Sequence, residues 1–169
     1  MLLEELLIRP TEVGHAPVMD ALSEADALQE AQLLDVRVCA LTSTVGLLFD
    51  LRMALQLRTA NTAVVVGRGV QDFSWSAEHR ETARTAWNVA GSEPAGGDLF
   101  SLSLAFFPRA RLRLVSERAE FYVGEVAGLD PTPPDYGVDD EARIKAGLAG
   151  WASTFEPVQA AFLDLSTRA

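Results

Sequence analysis

Five residues in the middle of the chain have the types and spacing best suited to recognition: Asp72, Phe73, Trp75, Arg84 and Trp87. Phe73, Trp75 and Trp87 can form an aromatic patch where two strands end, with Asp72 and Arg84 as polar rims. An aromatic centre inside a polar rim is how a protein partner or an apolar small molecule is held. The competing reading makes the same aromatics part of a core beneath helices. They are therefore the candidate binding surface, with no catalytic role.

The catalytic inventory is thin. The two histidines, His15 and His79, both fall in expected loops. There is no HExxH, no cysteine pair, no GxSxG and no Walker motif, so neither a zinc site nor a serine hydrolase is expected. His79 beside Glu78 and Glu81 is the only spacing that hints at a triad. Gly67-Arg68-Gly69 suggests a phosphate loop, but no helix follows to offer its N-terminus to an anion, so a β-bulge is the better reading. Cys39 is the sole cysteine, which rules out an internal disulfide. No neighbour in sequence would lower its pKa, so it reads as an inert thiol. No cofactor and no metal are expected.

The formal net charge of −10 disfavours nucleic acid and anionic membrane surfaces, which need Lys/Arg patches. It suits a basic protein partner, and the acidic stretch Asp135 to Glu141 could dock one. The apolar N-terminus carries Glu4 and Glu5 and no basic region, so it is not a signal peptide. A cytoplasmic protein is expected, of one domain over 1–169, with oligomeric state open.

The elements that must position the aromatic patch follow from periodicity. Val18, Leu22, Ala25, Leu28 and Leu33 repeat at helical spacing, which predicts a helix over 18–33. Segment 2–8 is either an edge strand or a helical turn. From Leu34 the period becomes two: Leu34, Val36 and Val38, then Val45, Leu47, Phe49 and Leu51. A hairpin turning at Ser43-Thr44 puts Val38 opposite Phe49 and, on the outer face, Asp35 opposite Arg52 and Arg37 opposite Asp50. Cross-strand ion pairs of that kind contribute roughly 0.2–1 kcal/mol each.

A third strand runs from Thr62 to Ser76. Its alternation slips between Val64/Val66 and Phe73/Trp75, so a bulge is expected at or just after Gly67-Arg68-Gly69. A polar turn at 77–81 leads to a strand over 82–90, and GSEPAGGD (91–98) is a loop. Phe100 to Phe106 alternate cleanly, and Pro108-Arg109-Ala110 turns the chain. A second hairpin turning at 116–119 pairs Leu114 with Phe121 and Arg113 with Tyr122. Residues 128–138 are a Pro-rich linker. Asp139 caps a C-terminal helix over 139–166, kinked at Pro157, whose stripe is Ile144, Leu148, Trp151 and Phe155. The class expected is α+β: an antiparallel meander of about seven strands over 34–127 with both helices on one face.

Residues 33–76, with LLDV, then VGLLFDLR, then AVVVGRGVQDFSW, resemble the β-sheet pattern of small immunity proteins of bacterial polymorphic-toxin systems. There a "v.l.f.gV..f" strand follows a "Da.v..l" hairpin. The resemblance implies a non-catalytic interaction protein that works by occluding a protein partner, and it assigns no site residues. The order ending in a long C-terminal helix is also similar to helix-grip folds, which implies the alternative: a pocket for an apolar ligand between a curved sheet and that helix.

Overall fold

The computed structural model describes residues 1–78 and 84–166. One seven-stranded antiparallel sheet dominates it, with two short helices. The strands are β1 (Gln32–Cys39), β2 (Thr44–Asp50), β3 (Thr62–Ala77), β4 (Trp87–Ala95), β5 (Phe100–Phe107), β6 (Ala110–Val126) and β7 (Phe155–Asp164). The helices are α1 (Glu5–Ile8) and α2 (Glu141–Ala146).

The spine is the pairing of the two longest strands. β3 and β6, of 16 and 17 residues, run antiparallel from Thr62↔Gly124 to Ala77↔Ala110. Their neighbours change halfway. The first half of β3 and the second half of β6 are flanked by β2, β1 and β7. The second half of β3 and the first half of β6 carry β5 and then β4. Two residue pairs, Gln32↔Asn88 and Leu33↔Trp87, join β1 to β4 and close the circuit β1-β2-β3-β6-β5-β4. The handover is marked by Gly69, at φ +62°, and by a register shift between Val70 and Asp72. That is the bulge expected from the slipped alternation, and Gly69 supplies the left-handed backbone that other residues adopt only under strain.

Apolar residues fill both sides of the first half. Inside the circuit lie Val45, Leu47, Phe49, Val65, Phe121 and Val123, with Leu102, Leu104 and Leu112 from the second half. On the opposite face a second cluster joins Leu3, Leu6, Leu48, Val64, Val66, Tyr122, Trp151 and Phe155. All seven residues of β2 are therefore buried.

Several expectations are corrected here. No helix forms over 18–33. The segment is a series of tight turns with positive φ at Asp26 (58°) and Glu30 (62°), which interrupts any helical ladder. Its backbone bonds instead to β4: Asp26 N–H donates to Ser92 O and Glu30 N–H to Val89 O, each at 2.8 Å. Leu22, Ala27 and Leu28 are still buried, so the apolar pattern reports burial without reporting helix.

The β1–β2 hairpin exists, but it turns through residues 40–43, four residues tighter in register than expected. Val38 faces Val45, Arg37 faces Gly46 and Asp35 faces Leu48. Alternation fixes register only to within multiples of two, so it could not separate the two hairpins. The anticipated charge couples do not form across the strands. Arg37 reaches Glu4 at 3.1 Å, and Asp50 binds Arg52.

No turn exists at 116–119, where β6 runs straight through and exchanges β5 for β7 as its neighbour. Arg113 consequently pairs with Asp72 instead of lying against Tyr122. Residues Gly91–Ala95 are strand, not loop, because Ser101–Ala105 pair with them.

The expected C-terminal helix over 139–166 is reduced to α2. Asp140, not Asp139, is its N-cap, accepting from Arg143 N–H at 2.8 Å. Gly147 ends it, and Phe155–Asp164 forms β7 on the edge of β6. Pro157 is tolerated because β7 is an edge strand with a register irregularity at that point. The turn expected at 77–81 and the start of the strand expected over 82–90 fall partly outside the described residues.

Trp151 lies against the second face of β2 at Gly46, where an added Cβ would stand 2.7 Å from its Cη2. Gly46→Ala should therefore destabilise the fold by about 1–3 kcal/mol, read as a lower urea midpoint. An unchanged midpoint would mean that the indole does not pack there.

Candidate functional site

Two buried arginines hold the non-sheet segments onto the sheet. Arg68, on β3, is ion-paired to Glu120 of β6. Its Nη1 donates to Leu7 O at 2.9 Å and its Nη2 to Leu6 O at 2.6 Å, the end of α1. Glu120 also accepts from the Tyr122 hydroxyl at 2.8 Å, and that oxygen in turn accepts from Thr11 N–H at 3.1 Å. Arg68 thus has a full set of structural partners and is not a phosphate-loop residue.

Arg52 repeats the arrangement at the other end of β2. It is ion-paired to Asp50, with side-chain exposures of 4% and 3%. Its Nη1 donates to Asp130 O at 2.9 Å and its Nη2 to Gly147 O at 2.8 Å. The Pro-rich linker 128–138 is tied down there, and Tyr136 accepts a bond from Gln32 beneath it. Burial pushes the Tyr122 phenol well above the usual tyrosine range, and the Glu120 carboxylate adds to the shift. Tyr136 is raised by burial and by the charge of Asp50.

The candidate surface residues divide between two faces. Trp75 packs edge-on against Trp87 at 5.2 Å between ring centroids and against Phe106 at 5.4 Å. Phe73 lies two residues along on the same face, partly buried against the inner core. Trp75 remains 38% exposed. Asp72 faces the other way and is bound to Arg113 at 3.2 Å, so it does not rim the aromatics. Arg84 precedes β4, and its charge is felt by Glu141 of α2.

Sequence reasoning brought the aromatics together but missed the backbone beside them. β2 ends its pairing with β3 at Thr44↔Arg68, and Ser43 O takes the Val70 N–H at 2.9 Å. Beyond that point, among the described residues, no strand pairs with the outer edge of Gln71–Ala77. The outer edge of β7, by contrast, is covered: Leu2 bridges Thr154, Phe155 N–H bonds to Met1 O, and Ala160 N–H bonds to His15 O. The mismatch between a 16-residue β3 and a 7-residue β2 is the signal that could have exposed the edge.

Cys39 is half-buried at a groove of about 550 Å³ that also includes Arg37, Thr42 and Arg118. Contrary to the sequence reading, a neighbour does lower its pKa: the hydrogen bond with Thr42. Among the described residues no group of His, Cys, Asp and Glu could hold a metal ion. His79 and Glu81, the triad candidates, lie outside the described residues. No helix among the described residues is long and apolar enough to cross a membrane. Comparison with known proteins gives no match: no family model, no curated protein and no solved structure is similar to this chain.

Two measurements test the clamps. Arg68→Leu leaves the Glu120 carboxylate buried without its partner and should cost about 3–5 kcal/mol in urea unfolding. Both phenols titrate late in the folded chain, so the unfolded chain loses protons first as pH rises through about 10. Stability should therefore be full below that pH and fall above it, with Tyr122→Phe flattening the decline. A urea midpoint that rises above pH 10 would contradict this assignment.

Proposed function

We propose that this chain is a non-catalytic interaction protein that binds a protein partner along the open edge of β3, in the manner of an immunity protein. The observation that carries the reading is the uncovered run Gln71–Ala77, with Trp75 half-exposed beside it. An extended segment of a partner added to this edge would gain main-chain hydrogen bonds, and an aromatic anchor would give it register. The absence of any catalytic constellation in the sequence and the resemblance of residues 33–76 to immunity proteins point the same way.

The apolar-ligand alternative has less support. The segment needed to cover its pocket is the strand β7, and Leu22, Leu28, Leu57 and Phe100 occupy the space inside the sheet. The partner's charge is set by the edge and not by the whole chain. Arg109, Arg111 and Arg113 all lie on the adjoining strand or its turn, so the basic partner inferred from −10 gives way to one of mixed charge.

The test is co-expression with the product of the adjacent gene, followed by size-exclusion chromatography and a growth assay. A stable complex that restores growth, weakened by about 2 kcal/mol in Trp75→Ala, supports the reading. No complex, or one indifferent to Trp75→Ala, would overturn it.

A further inference from the structure

The outer face of the arm formed by β3, β6, β5 and β4 is a trough of about 570 Å³. Two rows of cross-strand neighbours build it. One row runs Ser76, Arg111, Ala105, Gly91, and the next runs Ser74, Arg113, Ser103, Glu93. Every residue directly beside the two arginines is small, which is why the face is recessed.

Alternate residues of a strand lie about 7 Å apart on one face, so the two arginines leave β6 on the same side. Arg111 has no carboxylate partner among the described residues. Arg113 has one, Asp72, in a pair that is 54% exposed on both sides and therefore readily exchanged. The opposite wall is acidic. Glu93 stands two strands away, its backbone about 10 Å from that of Arg113, and its carboxylate is in no ion pair among the described residues. Asp26 reaches the same wall, its Oδ1 accepting from Ser92 N–H at 3.1 Å. The trough is thus positive along β6 and negative along β4, with the hydroxyl of Ser103 between them.

We propose that this trough binds a short zwitterionic peptide, its carboxylate on Arg111 and Arg113 and its ammonium on Glu93. A plain anion would meet repulsion from Glu93 and Asp26, and a plain cation from the arginines. An extended tripeptide spans about 10 Å, the backbone separation of the two walls. Its central amides fall over Ser103, which donates and accepts. A short peptide presents both termini at about that separation and amides between them. The site lies on the outer face, away from the aromatic anchor, and does not depend on the partner reading.

The experiment is a calorimetric titration of the full chain with triglycine, N-acetyl-triglycine, triglycine amide and inorganic phosphate. Triglycine should bind saturably, and each blocked peptide roughly tenfold or more weakly. Arg111→Gln and Glu93→Gln, both at exposed positions, should each weaken triglycine by a similar factor while leaving the melting temperature unchanged. Equal binding of the blocked peptides, equal or tighter binding of inorganic phosphate, no effect of either substitution, or no saturable binding of triglycine would each overturn the proposal.

Discussion

A guanidinium taken out of water must have its donors satisfied, and that requirement shapes this molecule twice. Arg68 and Arg52 each pair with a sheet carboxylate and spend their remaining N–H groups on main-chain carbonyls of segments that have no strand or long helix of their own. Residues 1–11 and 128–147 are placed by these contacts. Removing either charge would leave its partner buried and uncompensated, which is far less favourable than never having buried the pair. Among the described residues no buried side-chain polar atom lacks a partner, which is the condition under which such pairs are tolerable.

Those fastened segments change the character of the sheet. A meander with helices on one face would leave the other face wet and its strands alternating. Here the N-terminal segment and residues 149–155 cover the second face, so β2 and the Ala63–Val66 run of β3 are apolar on both sides. Trp151 links the coverings to β1: its indole N–H donates to Asp35 at 2.8 Å, and Arg37 stacks over its ring at 5.3 Å. The charges expected to neutralise each other across a solvated hairpin instead receive the cover.

Among the described residues, the outer face of the second half and the edge of β3 past Val70 are left uncovered. β3 outruns β2, so its end offers backbone on one edge, aromatics on the inner face and small polar residues on the outer one. A chain of net charge −10 presents its arginines there in a row, which no whole-chain charge would suggest. Recognition is decided by which charges a fold collects on one surface, and the sum over the chain is a poor guide to it.

The sequence by itself determined that the chain is rich in antiparallel strand, the place of the bulge at Gly69 to Asp72 and the inward set Phe100, Leu102, Leu104, Leu112 and Leu114. Those features follow from local alternation and from the special backbone of glycine. It also put Trp75 and Trp87 forward as members of one aromatic patch, and their ring centroids stand 5.2 Å apart. Only the tertiary structure decided the hairpin register, the straight run of β6 through residues 116–119 and the strand in place of a C-terminal helix. Parity is blind to a shift of four residues, and a polar SERA is a turn or a change of neighbour depending on what pairs beside it. The stripe Ile144, Leu148, Trp151 and Phe155 is helical in spacing. Gly147, Gly150 and the hold of Asp35 on Trp151 decided otherwise, because bonds between residues more than a hundred positions apart outweigh a local preference.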